Sequence, residues 1–217
     1  MAKAIGALIV MLDFTGIARD EFDDWYDTEH IPERQRVPGF LSAQRWLAAD
    51  GSPLSFALYD LSALEVLKSA PYRAIAGENF SPWSKRIISS CKRVWRYEVE
   101  QILPGGEVSP ANAGALLINA MNVEAAAEDD FNRWYDTEHV PRLKAVPGVI
   151  SARRFHAVLG EQTYLAIYHV RSPAVVESKE WREAVETPWT RSMRPHMNDR
   201  LRVVFSSYMR SGRSHSK

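Results

Sequence analysis

The run Trp25-Tyr26-Asp27-Thr28-Glu29-His30-Ile31-Pro32 gathers a phenol, two carboxylates and an imidazole within eight residues. It recurs as Trp134–Pro141 with one change, Ile31 to Val140. On a regular helix advancing about 100° per residue, Phe22, Tyr26 and His30 share one stripe at i, i+4 spacing and can touch. Asp27 precedes His30 by three residues and can reach its ring. A histidine held between a tyrosine and an aspartate suits general acid or base work, because its unperturbed pKa of about 6.5 lies near working pH. Phe131, Tyr135, Asp136 and His139 repeat the set. The spacing marks His30 and His139 as the acid/base candidates, Tyr26 and Tyr135 as their hydrogen-bond partners, and Asp27 and Asp136 as the groups that orient the rings. The same residues also fit a structural role. An acid–histidine pair near a helix end can serve as a cap, and Trp25, Trp134 and the tyrosines on the inner face of an amphipathic helix are core positions first and ligand contacts second.

Arg45 and Arg154 match across the two copies and stand on strand faces that are otherwise apolar: Leu41 and Ala43 in one copy, Ile150 and Ala152 in the other. They can point at an anionic or carbonyl group of a ligand, reach a rim, or pair with Glu29 and Glu138. Other chemistries lack their signatures. The sequence has no Gly-rich phosphate loop, no serine nucleophile elbow and no histidine cluster with metal-ligand spacing, so it calls for no cofactor and no metal. The lone Cys91 has no matched counterpart.

The elements that carry these residues are written twice. Residues 20–46 and 129–155 align at a constant offset of 109, with 15 of 27 positions identical. An internal duplication sets the architecture: a first domain over 1–103, a linker over 104–113 marked by Pro, Gly, Ser and Asn, a second domain over 114–210, and a flexible tail over 211–217. Each half reads as an apolar strand (4–12; 114–121), a helix (19–36; 125–145) stopped by Val-Pro-Gly, two strands joined by a hairpin (40–48 and 54–61; 149–158 and 163–170), a second helical stretch with Ser81-Pro-Trp-Ser or Thr187-Pro-Trp-Thr, and a last strand (93–102; 200–209). The order β-α-β-β-α-β is the ferredoxin-like arrangement, giving an α+β fold class. The opening strands are apolar on both faces, whereas helices cover only one face of a four-stranded sheet. The two sheets are therefore expected to face each other as a pseudo-dimeric α/β barrel with room for a small ligand inside.

Composition narrows the partners. Lys and Arg total 27, as do Asp and Glu, and no long basic run exists, so a nucleic-acid footprint is missing. No apolar run approaches the roughly 20 residues of a membrane span. One cysteine fits a reducing compartment, hence a cytoplasmic protein. Seven Trp and eight Tyr exceed what two small cores need and point to a homodimer.

The motif W-Y-D-T-E-H-[IV]-P followed by V-P-G-[FV]-[LI]-S-A-x-R resembles the dimeric α/β barrel superfamily, in particular its EthD-like branch, across both halves. The resemblance implies a barrel that single-domain members close by dimerising. Members include lactone isomerases, polyketide cyclases, dehydratase-like proteins, haem-degrading monooxygenases and proteins without known activity. In some enzymes of the branch the first-helix histidine moves protons at the cleft, a role that falls here on His30 and His139. Three functions follow as expectations: His-mediated proton transfer on a small apolar, aromatic or polyketide-like molecule; non-catalytic ligand binding; and haem-dependent monooxygenation. The copies differ where Glu33-Arg34 faces Arg142-Leu143, which predicts a more polar first cleft.

Overall fold

The computed structural model describes residues 4–208. The proposed tail over 211–217 lies outside the described residues. In chain order the elements are β1 (Gly6–Asp13), α1 (Arg19–Trp25), a π-helical turn (Tyr26–His30), α2 (Ile31–Gln35), β2 (Phe40–Ala48), β3 (Leu54–Leu61), α3 (Ala70–Arg73), α4 (Pro82–Ser90) and β4 (Lys92–Leu103). The second series runs β5 (Ala115–Val123), α5 (Glu128–Trp134), a π-helical turn (Tyr135–His139), α6 (Val140–Lys144), β6 (Val149–Leu159), β7 (Tyr164–Val170), α7 (Lys179–Val185), α8 (Pro188–Met193) and β8 (Met197–Ser207). Val-Pro-Gly does end both first helical segments. Gly39 and Gly148 take φ near 99° and 95°, and a Cβ there would collide with Val66 or Val175, so glycine is required at both turns.

The strands form one closed antiparallel barrel in the order β1-β3-β2-β8-β5-β7-β6-β4. Hydrogen bonds from β2 to β8 and from β4 to β6 make the eight strands one continuous closed sheet. Closure leaves no free strand edge and explains the two-faced opening strands. Ala7, Ile9 and Met11 face the barrel interior, while Leu8 and Leu12 pack under helices; Leu116, Ile118 and Ala120 face in, while Leu117 and Met121 face out. The expectation of ligand space inside the barrel is not met. Trp46, Phe56, Tyr97, Phe155 and Phe205 fill it, with Phe56 and Phe205 stacked at 4.8 Å. An eight-stranded barrel has an interior only wide enough for its own side chains.

One end of that interior is ionic. Arg153 of β6 donates to Asp60 of β3 at 2.7 Å, and both side chains are fully buried. Arg153 also donates to the Glu107 carbonyl and to Ser109 Oγ, and Asp60 accepts from Ser42 Oγ and the Ser109 amide. Burial pushes the Asp60 carboxyl up, but Arg153 and the two serine donors pull harder and hold it below its usual value. A buried pair stripped of one partner leaves an uncompensated charge. Asp60→Ala is therefore expected to cost about 3–5 kcal/mol in urea unfolding, and Asp60→Leu combined with Arg153→Met is expected to recover most of it. A single-variant loss under roughly 1 kcal/mol, the range of exposed pairs, would show that the pair does not hold the halves together.

Candidate functional site

Pro32 and Pro141 shape the motif. Proline has no N–H and its ring crowds the carbonyl four residues back, so the helix cannot keep α spacing through this point. The Ile31 amide instead reaches the Tyr26 carbonyl, and the Val140 amide the Tyr135 carbonyl, both five residues back. Thr28 and Thr137 hydroxyls donate to the Asp24 and Arg133 carbonyls at 2.7 Å. The wider turn swings the histidine under the tryptophan five residues earlier. Ring centroids are 4.2 Å apart for Trp25 and His30 and 4.4 Å for Trp134 and His139. Tyr26 and Tyr135 stay in contact with their histidines at 5.2 and 4.9 Å. π-turns of this kind are rare and concentrate at functional sites.

The same rotation moves the aspartates off the expected partner. Asp136 pairs with Arg154, and Asp27 accepts from the Tyr208 hydroxyl at 3.1 Å. The Nδ1 atoms of His30 and His139 are buried without a hydrogen-bond partner. The arginines also differ from expectation. Arg45 is buried on Asp23 at 2.5 Å and on Ser55, with its guanidinium 4.6 Å from the centre of the Tyr26 ring. Arg154 bonds to Asn132 and Asp136 and lies 4.4 Å from the Tyr135 ring. Neither pairs with the motif glutamate, and neither lines the cavities described below. They brace the tyrosines from behind.

Glu29 and Glu138 have a role that the spacing did not reveal. Glu29 accepts from Ser81 Oγ and Ser84 Oγ at 2.5 and 2.9 Å, and Ser84 Oγ in turn accepts from Trp25 Nε1. Glu138 accepts from Thr187 Oγ1 at 2.6 Å. Ser81 and Thr187 are also the N-caps of α4 and α8. One hydroxyl thus caps one helix and ties it to the other. The matched Ser-Pro-Trp-Ser and Thr-Pro-Trp-Thr turns were the signal for this.

The ligand space lies between the outer face of the sheet and the helices, and the two halves are unequal. In the second half a cavity of about 660 Å³ is lined by Met121, Trp134, Tyr135, His139, Leu143 and Trp181, with Asn119, Thr190, Glu186 and four arginines among its other walls. That volume suits a small organic molecule. In the first half the equivalent space is about 60 Å³, enough only for a few waters. Arg34, where the second copy has Leu143, is 3% exposed and stacks 5.7 Å from Phe80. Its guanidinium and the Phe80 ring fill the volume. The first cleft is the more polar of the two for its size, as expected, with Arg34, Arg93, Arg96 and His30 on its walls, but it is too small for a ligand. Arg34 enters the first cleft and closes it, so the polar groups there have no room for a ligand beside them, while Arg182, Arg194, Arg200 and Arg202 line the larger second cavity.

Burial sets the protonation states. It drives His30 well below its usual value, helped by Arg34, and His139 down to about 3, helped by Arg154 and Arg194. Burial pushes Tyr135 and Tyr26 up to about 12, against the pull of nearby arginines. At neutral pH the second cavity therefore presents an uncharged imidazole beside a protonated phenol able to donate a hydrogen bond. In the empty cavity the imidazole is a weaker base than the expected value near 6.5 would make it, because burial and the arginines disfavour its charged form. Among the described residues no cluster of three or more His, Cys, Asp and Glu could hold a metal ion, and no helix is long and apolar enough to cross a membrane.

No family model matches this chain, and no curated protein matches it in sequence. Solved structures do match in shape. An anthrone oxidase-like protein superposes with a TM-score of 0.61 at 13% identity, over 95% of this chain and 92% of its own. A "putative monooxygenase" from Lactobacillus acidophilus NCFM gives 0.61 at 10%, over 94% and 93%. Chlorite dismutase from Candidatus Nitrospira defluvii in complex with imidazole gives 0.60 at 9%, over 95% and 92%. The chain has the fold of the dimeric α/β barrel proteins over nearly its whole length.

The histidines give a pH signature. His30, His139 and His169 titrate below their unfolded value of about 6.5. The unfolded chain then binds protons that the folded chain refuses, so there is no cost above about pH 6.5 and a growing loss of stability as pH falls toward 3. Each histidine adds up to about 1.4 kcal/mol per pH unit. Urea melts from pH 7 to 5 are expected to show this slope, and the His30→Gln/His139→Gln/His169→Gln variant to flatten it. An equal slope in the variant would mean that these rings stay charged when folded.

Proposed function

We propose that the second half binds a small, largely apolar aromatic or polyketide-like molecule and moves a proton on it, in the manner of an isomerase, cyclase or dehydratase of the EthD-like branch. The observation that carries this reading is the 660 Å³ cavity that places His139 and Tyr135 on one wall among Trp134, Trp181, Leu143 and Met121. The imidazole of His139 takes a proton from a carbon acid beside a carbonyl, and the negative charge that develops on the ligand offsets the burial that otherwise disfavours the imidazolium. The Tyr135 hydroxyl donates a hydrogen bond to the carbonyl oxygen as charge builds there. The imidazolium then returns the proton to another atom of the ligand, and the protein ends unchanged. Asp136 acts on this site through Arg154, which stands behind the Tyr135 ring. Trp134 forms part of the binding wall. In the first half His30, Tyr26, Asp27, Arg45 and Trp25 keep the same helix geometry for packing, with the space closed by Arg34.

This reading includes an architecture: tandem ferredoxin-like domains over 1–103 and 114–210, joined by 104–113, closing in one chain the barrel that single-domain members of the superfamily close by dimerising. The matched strand orders β4-β1-β3-β2 and β8-β5-β7-β6, which follow one another in the same direction around the barrel, support it. Exposed Leu41, Ile102, Val158 and Leu159 support a further homodimer of whole chains, for which light scattering is expected to give twice the 24.6 kDa chain mass.

Haem binding is a second reading, favoured by one observation: burial keeps His139 in the neutral form that can ligate iron. The apolar lining fits a porphyrin, and His139 is the residue that would hold the metal. A bound haem would supply oxygen activation. A Soret band on reconstitution, lost in His139→Ala, would support this reading over the first.

For the first reading the probe is 2-tetralone, a bicyclic aromatic ketone with an acidic C–H. Incubated with the protein in D₂O, it is expected to gain deuterium above the solvent rate, and His139→Gln is expected to slow the gain by about 10²-fold or more. His30→Gln is expected to leave it unchanged. Exchange at the solvent rate, or exchange indifferent to His139→Gln, rejects proton transfer at this site.

A further inference from the structure

We infer that the molecule taken by the second cavity carries an anionic group, a carboxylate, sulfonate or ionised phenol on an aromatic body, and that Arg200 and Arg202 of β8 receive it. The inference rests on the proposed ligand role of this cavity and adds its charge. In β8, Leu201, Val203 and Phe205 face the barrel core. Alternation then sends Arg200 and Arg202 to the opposite face, where both line the cavity.

The other two arginines of the lining are already engaged. Arg194 grips Glu186 at 2.5 and 3.1 Å, and Arg182 donates to the Glu177 carbonyl. Arg200 and Arg202 have no hydrogen-bond or ion-pair partner among the described residues. Glu186, the acidic residue of the lining, is held by Arg194 and Arg191.

Comparison of the halves sharpens this. Arg202 pairs across its sheet with Asn119, and Arg96 of β4 pairs with Val10. Val10 and Asn119 are 109 positions apart, so Arg96 and Arg202 hold equivalent places. Arg96 is neutralised by Glu98, two residues along the same strand face, at 2.5 Å. The place of Glu98 in the second half is taken by Val204, opposite Leu117 as Glu98 is opposite Leu8. The closed half thus keeps a carboxylate for its arginine, and the open half lacks one. Arg200 and the Tyr135 phenol line the same cavity, and Arg154 and then Arg200 pull against the burial that raises that phenol. An anion entering here also relieves a cavity lined by four arginines and one glutamate.

The test compares two dyes that share a ring system and differ in charge: the anion 1-anilinonaphthalene-8-sulfonate and the neutral N-phenyl-1-naphthylamine. Each is titrated by fluorescence against the whole chain, against Arg200→Gln/Arg202→Gln, and against Leu143→Arg, which copies the plug of the first half. The anion is expected to bind about tenfold tighter than the neutral dye, to weaken as salt rises from about 0.02 to 0.5 M, and to lose its advantage in the double variant while neutral-dye binding persists. Leu143→Arg is expected to abolish both. Equal binding of the two dyes, with both blocked by Leu143→Arg and neither changed by the double variant, overturns the anionic ligand and leaves the cavity reading standing. Binding of neither dye, or binding that Leu143→Arg does not disturb, overturns both.

Discussion

The buried contact between Asp60 and Arg153 constrains everything else. It joins β3 of one half to β6 of the other across the interior of the barrel. At the positions 109 away the chain has His169 for Asp60 and Gln44 for Arg153. Both matches keep register, since Ser42 opposes Asp60 as Ser151 opposes His169. The ionic pair therefore exists once, not twice. Two copies of either half alone would set a carboxylate against an amide, or an imidazole against a guanidinium. The pair is satisfied only when unlike halves close on each other, and the segment carrying Glu107 and Ser109 completes its hydrogen bonds. A buried ion pair is poor evidence of net stability but a good device for fixing one arrangement among several. Here the arrangement fixed is first half against second.

Once the barrel is closed in this way, the outer face of each sheet is the surface left for the helices, and the motif helix sits there. Its chemistry depends on Pro32 and Pro141. Without the turn that each proline forces, the histidine would follow the 100° projection and lie near the aspartate. With the turn, the imidazole lies against tryptophan and tyrosine, out of water and without a carboxylate. The result is a neutral histidine rather than one charged by an adjacent acid. The motif resembles a catalytic Asp–His arrangement in sequence and is a different electrostatic object in space.

Much of the fold was legible in the sequence. The repeat located all eight strands within a few residues, because apolar runs bounded by Pro-Gly and Asp-Gly turns leave few alternatives. The two-faced apolarity of β1 and β5 required a second covering layer, and the barrel supplied it. The site was legible in part. Residue types and the Tyr–His contact followed from i, i+4 spacing, but the Trp–His contact did not, since it needs five-residue spacing that a regular helix lacks. The place of the cavity was misjudged because the interior volume of a barrel depends on the side chains of all eight strands at once. Trp46 and Phe205 close it from strands far apart in sequence. The anchoring role of Glu29 and Glu138 was missed because their partners lie 49 to 55 residues away, although the matched Pro-Trp turns showed where to look.

The differences between the halves fall into a pattern that chemistry explains. Arg34 replaces Leu143, Phe80 stands where Glu186 precedes the matched Thr-Pro-Trp turn, and Glu98 replaces Val204. In the first half Arg34 and Phe80 fill space and Glu98 pairs with Arg96; in the second half Leu143 leaves space, Val204 leaves Arg202 without a carboxylate, and Glu186 pairs with Arg194 instead of filling the cavity. A packed, neutralised half adds to the stability of the chain. An open half with a cavity and a buried histidine lacking a hydrogen-bond partner weakens it, since both cost folding free energy. A single-domain protein that dimerises has to accept that cost in both copies. A duplicated chain can confine it to one, with the other free to diverge toward stability, and the Asp60–Arg153 contact keeps the two kinds of half together.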